Sequence, residues 1–232
     1  METILLMNAK GGSGKSTIAT NLAAWFAMDG ANVYLADLDQ QGSCMDWLEV
    51  RSREFATIHG IPPSKSIRVP RGTDYVIMDA PGAIHGRAVD RLVRKVDTLL
   101  IPVAPSPVDI RATAKFIEEL LLVRRIARHN TRVGVVANRV RSNNRSYESL
   151  QRFLDRLQIP MVGALRDSEL YQDAAGNGRS IFEMAGEEAF DRQQEWSRLI
   201  AWVRGEAGLG KEELELLASL NISEPVIADG ML

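Results

Sequence analysis

Short apolar runs alternate with longer amphipathic stretches almost from the first residue. Residues 3–7 (Thr-Ile-Leu-Leu-Met) form a run long enough for a buried strand, and residues 15–28 follow as a helix. The same pattern predicts strands at 32–37, 75–79, 98–103, 132–138 and 161–165. Between them it predicts helices at 43–56, 87–95, 108–127 and 146–157. The third of these is opened by Pro107 and Asp109. A further helix starts near residue 167 and stops before Gly176-Asn177-Gly178, and one long helix is expected over 187–203. Residues 57–71 are rich in Pro, Gly and Ser and read as loop, with at most a short strand at 66–69. Such alternation predicts an α/β fold, a doubly wound and mostly parallel sheet flanked by helices. Ligands of such sheets bind outside the carboxyl ends of the strands.

Composition sharpens the boundaries of this picture. A chain of 232 residues buries a full core as one domain, expected here over residues 1–204. Residues 205–232 differ. They hold six acids against Lys211 alone, which is −5, so residues 1–204 carry +3 of the net charge of −2. One short helix at 211–220 and little order beyond residue 221 are expected there. Cys44 is the single cysteine, which excludes an internal disulfide, and it reads as a buried or half-buried bystander. His59, His85 and His129 lie far apart without ligand spacing, so no zinc site is expected. His85 reads as a loop histidine. There is no charged-then-apolar leader, and no stretch approaches the ~20 apolar residues of a membrane span. A cytoplasmic protein is expected.

The candidate chemistry begins where the first strand meets the first helix. Lys10–Thr17 read Lys-Gly-Gly-Ser-Gly-Lys-Ser-Thr. Glycines permit a tight turn and leave backbone N–H groups free to face phosphate oxygens, and the helix dipole faces the same anion. Gly11, Gly12, Ser13, Gly14, Lys15, Ser16 and Thr17 are therefore the candidate nucleotide-binding residues. Lys15 supplies a point charge for the β- and γ-phosphates, and the Ser16 hydroxyl is placed for Mg²⁺. Two acids fall at or just past the ends of later strands, at the same edge. Asp39 falls where it can orient or deprotonate an attacking water, and Asp79 falls where it can hold Mg²⁺. Asn138 ends another strand, and an amide there can pair with adenine. The loop departs from the strict pattern: Ala9 stands where a glycine is usual, and a second lysine, Lys10, opens the loop.

That second lysine carries a resemblance. Lys-Gly-Gly-x-Gly-Lys-Ser/Thr is similar to the deviant Walker A loop of the ParA/MinD family of P-loop ATPases. Asp37-Leu-Asp39-Gln40-Gln41-Gly42 resembles the family's Asp-x-Asp-Pro-Gln-Gly segment, with Gln40 in place of proline. Residues 75–82, Pro105-Ser106-Pro107-x-Asp109 and Ala137-Asn138-Arg139-Val140-Arg141 are similar to further family segments in the same order. The resemblance implies an ATPase using ATP and Mg²⁺, with Lys10, Lys15 and Asp39 catalytic. It implies a homodimer with ATP sandwiched at the interface and Lys10 reaching the partner's nucleotide, as an arginine finger does. It also implies a ParB-like or cargo adaptor protein that triggers hydrolysis. The segment after Pro81-Gly82 would change course when the γ-phosphate leaves.

Charge adds a second candidate surface. Nine arginines fall between residues 124 and 156 (124, 125, 128, 132, 139, 141, 145, 152 and 156), against only Glu148 and Asp155. Arg145, Arg152 and Arg156 share one helical face, and Arg139 and Arg141 lead into that helix. Arg192 and Arg198 on the last helix are expected to join them. A polarised basic surface without aromatic interleaving suits phosphate backbones without reading bases. The charge suggests non-specific DNA binding, and the resemblance implies a nucleoid-associated location and the positioning of a cargo: a plasmid, a chromosome origin, a protein cluster or a microcompartment. No amino-terminal DNA-reading domain is expected. The alternative is a MinD-like membrane switch in cell-division placement. It needs a basic amphipathic carboxyl-terminal helix, whereas the tail here is acidic.

Overall fold

The computed structural model describes residues 1–63, 67–122, 131–141 and 145–206. The chain enters as β1 (Glu2–Leu6) and continues through α1 (Lys15–Met28), β2 (Val33–Asp37), α2 (Ser43–Glu49), β3 (Ile58–Ile61) and β4 (Tyr75–Asp79). Next come α3 (Arg87–Val93), β5 (Thr98–Val103), α4 (Pro107–Leu122), β6 (Arg132–Val140), α5 (Arg145–Leu157) and β7 (Met161–Arg166). The described chain closes with α6 (Leu170–Gly176), a 3-10 turn (Ile181–Glu183), α7 (Glu187–Gln194) and α8 (Ser197–Arg204). Seven strands form one sheet in the order β3-β2-β4-β1-β5-β6-β7, and every neighbouring pair is parallel.

A parallel sheet needs both faces covered, and the apolar runs supply both. Successive side chains of β1 point to opposite faces. Ile4 and Leu6 enter one apolar layer with Ile18, Leu22 and Phe26 of α1, Trp47 of α2 and Leu199 of α8. Leu5 and Met7 enter the other layer with Val93 of α3, Phe116 and Leu120 of α4, and Leu150 and Leu154 of α5. The strand order turns around at β1, flanked by β4 and β5. The loop after β1 therefore occupies the switch point, where such sheets open a crevice.

Several elements differ from the sequence expectation. The stretch 57–71 contains the edge strand β3, paired to β2 from Val33↔Ile58 to Ala36↔Ile61, while residues 67–69 form no strand. The helix expected over 43–56 stops at Glu49. The helix expected over 187–203 is two, α7 and α8, parted at Glu195 and Trp196. There Glu195 turns back to accept from the Arg166 backbone N–H at 2.8 Å, and the buried Trp196 indole donates to the Tyr171 hydroxyl at 3.0 Å. Arg124, Arg125, Arg128, His129, Ser66 and residues 207–232, including the helix expected at 211–220, lie outside the described residues.

The early end of α2 has a tertiary cause. Arg51, just past the helix, is buried, and its guanidinium grips the Glu183 carboxylate with Nη1–Oε2 at 2.9 Å and Nη2–Oε1 at 2.5 Å. It also donates to the carbonyls of Gly178 and Ala56, and lies 4.9 Å from the Trp47 ring and 5.1 Å from the Phe55 ring. Gly178 must come close for this: a Cβ there would lie 2.5 Å from the Arg51 Cα. The clasp ties the segment after α6 to the end of α2.

Candidate nucleotide site and basic surface

The loop between β1 and α1 brings its charged and hydroxyl groups to one crevice. Gly14 has φ +90°, a conformation a side chain rarely adopts, and it caps α1 without a side-chain bond. The first-turn N–H groups of α1 are thereby left for a ligand. Lys15 is buried, and no carboxylate forms an ion pair with it among the described residues. Its charge nonetheless acts on Asp79. The Ser16 hydroxyl donates to Asp79 Oδ2 at 2.5 Å, and the Cys44 thiol donates to the same oxygen at 3.4 Å. Among the described residues of this crevice, two buried side-chain atoms have no partner: Ser13 Oγ and Asp79 Oδ1. Burial raises the Asp79 carboxyl to about 6, against the opposing pull of the Ser16 and Cys44 hydrogen bonds and the Lys15 charge.

Asp37 and Asp39 divide the work at the end of β2. Asp37 is fully buried and accepts from the backbone N–H groups of Asp39 at 3.0 Å and Cys44 at 2.8 Å. It fastens the Asp39 loop to the start of α2. Asp39 accepts from Gln41 N–H through Oδ1 and from Gly82 N–H through Oδ2, the latter at 3.4 Å. The next residue, Ala83, is held at φ +57° and donates its N–H to the Ala9 carbonyl at 3.0 Å. The loop after β4 is thus hooked both to Asp39 and to the start of the phosphate loop. His85 further along is exposed, with Nδ1 3.9 Å from Glu119.

Lys10 lies outside the cradle. Its ammonium pairs with Asp109 in the first turn of α4, and the Ser106 hydroxyl donates to the same carboxylate. Burial alone would raise Asp109, yet the bonds from Lys10 and Ser106 hold it below the usual carboxylate range. Asn8 braces this end of the loop. Its amide donates to the Pro102 carbonyl at 2.7 Å and the Thr113 hydroxyl at 3.1 Å, and its oxygen accepts the Lys10 N–H at 3.1 Å.

The arginines do not form one cluster. Arg139, at φ +57°, follows Asn138 at the carboxyl edge of the sheet, and its charge acts on Asp109. Arg141 pairs with Asp167 at 2.9 Å. Arg152 and Arg156 are exposed on α5, and neither has a carboxylate partner among the described residues. Arg145 begins the same helix. Arg132 faces inward to the Glu2 carboxylate at 2.8 Å. Arg192 contradicts the expectation: it is buried and pairs with Glu195 at 3.2 Å, because α7 turns that position towards the core.

Sequence reasoning missed three groups here. Asp37 had a signal, an acid closing an apolar run, but only the fold brings two backbone donors to it. Cys44 is buried as expected, yet it touches the carboxylate that ends β4. Asn8 carried no signal, because its partners Pro102 and Thr113 are remote in sequence.

A central parallel sheet with a glycine-bent phosphate loop at its switch point defines a P-loop nucleotide-binding protein. Residues 4–181 match the CobQ/CobB/MinD/ParA nucleotide binding domain, and the chain belongs to that family. It is 29% identical over 190 residues to Maintenance of carboxysome distribution protein A of Halothiobacillus neapolitanus, covering 78% of this chain and 87% of the relative. The protein of the same name from Gloeobacter kilaueensis is 30% identical over 203 residues, 84% of this chain and 91% of the relative. The fold superposes on an ATP complex of a Cyanothece McdA variant with TM-score 0.67 at 17% identity, covering 88% of this chain and 96% of the other. It superposes on the MinC:MinD cell division protein complex of Aquifex aeolicus with TM-score 0.64 at 19% identity, covering 97% and 98%.

Proposed function

We propose that the chain is a dimerising ATPase that binds DNA without sequence preference and positions a cargo through an adaptor protein. The observation that carries this reading is the place of Lys10. Lys15 already serves the subunit's own cradle, while Lys10 is held at the rim by Asp109 and stays partly exposed, which leaves it free to serve a second subunit's nucleotide in the proposed dimer. Two relatives are named for maintenance of carboxysome distribution, so a protein-shelled microcompartment is the favoured cargo.

ATP and Mg²⁺ fit the residues present. Asp79 Oδ1 and Ser13 Oγ are buried without partners, and the Lys15 amine is buried without a counter-ion among the described residues. Mg²⁺ takes few protein ligands and otherwise binds water and phosphate, and it would neutralise charge on the triphosphate. Ser16 and Asp79 would hold it, and Gly11 to Thr17 would wrap the phosphates. Asn138 would face the base. Asp39 would orient the attacking water and accept its proton. Lys10 of the opposite subunit would offset charge on the transferring group.

A pH dependence follows from Asp79. Because its folded pKa is raised, its stability contribution in the nucleotide-free protein is full below the ordinary value of 3.8 and is lost as pH rises through about 6. A cation there must displace the proton. Mg²⁺-supported nucleotide affinity should therefore fall by up to about tenfold per pH unit below that point and stay level above it. Calorimetric titration of Mg–ADP across this range measures it, with an Asp79→Asn control that should lose the dependence.

DNA retention tests the second part. ATP-loaded protein should co-sediment with duplex DNA, and ADP-loaded protein should not. Arg152 and Arg156 exchanged together for Glu should lower the affinity at least about tenfold and flatten the salt dependence, with ATP-driven dimerisation unchanged. Equal retention with ADP would overturn the switch. Retention on anionic liposomes in place of DNA would favour a membrane-associated, MinD-like reading.

A further inference from the structure

We infer that Asn138 is a positioning residue for the phosphate loop, which it latches from behind, in addition to facing the base. The inference rests on the nucleotide-binding reading of the same site.

The geometry at the end of β6 is unusual in three ways. The Asn138 side chain is buried, and its Nδ2 donates to the Ser13 carbonyl at 2.9 Å. It packs so tightly there that a Cβ on Gly14 would lie 2.0 Å from that nitrogen and 3.2 Å from the side-chain carbonyl carbon. The pairing of β6 with β7 slips between Asn138 and Val140, and Arg139 between them adopts φ +57°. A non-glycine residue in the left-handed region is strained, and bulges of this kind re-aim side chains beside functional sites. Here the bulge turns Asn138 under the loop and Arg139 out to the rim.

The consequence concerns the phosphates more than the base. The loop has two supports. Asn8 holds its opening half through the Lys10 N–H, and Asn138 holds its closing half through the Ser13 carbonyl. The Ser13–Gly14 peptide directly precedes Lys15, so fixing that carbonyl fixes the direction of the amides that meet the phosphates. The contact also means that any side chain at position 14 would push the Asn138 amide off the Ser13 carbonyl, in addition to the strain of the positive φ there.

A base-free ligand separates the two roles. Asn138→Ala should weaken Mg–tripolyphosphate about five- to tenfold through the lost latch, and Mg–ATP by at least that factor, since ATP also loses the base contact. In the nucleotide-free protein, amide exchange across residues 11–16 should quicken while that of β1 and β5 stays at the wild-type rate. That second measurement distinguishes a loosened loop from a failed fold. The double variant Gly14→Ala with Asn138→Ala should bind tripolyphosphate more tightly than Gly14→Ala alone, because the colliding amide is gone. A loss confined to ATP, with tripolyphosphate and loop exchange unchanged, would overturn the latch and leave only base contact. Failure of the wild-type protein to bind either ligand would instead overturn the nucleotide-binding reading.

Discussion

Lys10→Ala should hydrolyse ATP about 10³-fold more slowly than the wild type at saturating nucleotide, with its Mg–ATP affinity changed by no more than about threefold. The two effects separate because the Lys10 ammonium rests on Asp109 at the rim, while the cradle keeps Lys15 and the amides of α1. On the proposed role, the amine meets the transferring group only in the transition state, so its removal would spare ground-state binding and cost most of the rate. Mixing two dead variants identifies whose pocket the amine serves. Lys10→Ala keeps an intact pocket, and Asp39→Ala keeps an intact lysine. In a random mixture, half the dimers pair the two, each with one complete pocket. If Lys10 acts across the interface, activity should return to about a quarter of the wild-type level. A mixture as silent as its parts would place the lysine's action within its own subunit and remove the main reason for a sandwich.

The largest stability loss is expected at Arg51, which touches no nucleotide-binding residue. Arg51→Ala strands the buried Glu183 carboxylate and removes the bonds to Gly178 and Ala56 and the stacking on Trp47 and Phe55. Breaking one side of a buried pair costs about 3–5 kcal/mol. For a chain of this size the unfolding midpoint should drop by roughly 10 °C. The sign with pH is distinctive. Burial alone would raise Glu183, but the Arg51 pair and the Ser180 hydrogen bonds hold it below its ordinary value. In the wild type its contribution is present above that ordinary value and is lost as pH falls through the lowered one. In Arg51→Ala burial is opposed only by the Ser180 hydrogen bonds, so the deficit should narrow on acidification as protonation removes the stranded charge. Scanning calorimetry of both proteins at neutral and mildly acidic pH measures this, and a deficit that stays constant would contradict the stranded-charge explanation.

What the sequence conceals at each of these places has a physical cause. β1 and the phosphate loop are legible because an apolar run, positive-φ glycines and a helix follow one another within a few residues. β3 is not, because an edge strand of Ile-His-Gly-Ile has little alternation to show. Its Gly60 is explained by α2 packing over it: an added Cβ would lie 2.8 Å from Leu48 Cδ1 and 3.2 Å from Met45 Sδ. The end of α2 is hidden for the same reason, since Arg51 leaves the helix for groups more than a hundred residues away. The apolar spacing of 187–203 continues straight through Glu195 and Trp196, so periodicity cannot register the break between α7 and α8. In the nucleotide site, residue types were readable and partners were not. Asp39, Asp79 and Lys15 announce themselves by position. The thiol of Cys44 on Asp79, the Asp37 fastening and the Lys10–Asp109 pair exist only once the carboxyl ends of β1, β2, β4 and β5 are side by side.

The hooks made by Gly82 and Ala83 bear on how fast this molecule can report its own chemistry. The acid proposed to guide the water and the peptide groups that would feel the departing phosphate are adjoining bonding partners, and the following N–H already grips the strand exit that carries Lys10. Cleavage and its announcement would then share a single joint, with no relay through the interior to slow or lose the message. Such an arrangement leaves evolution little room to adjust the timer there, and places its tuning in whatever docks along the outer rim.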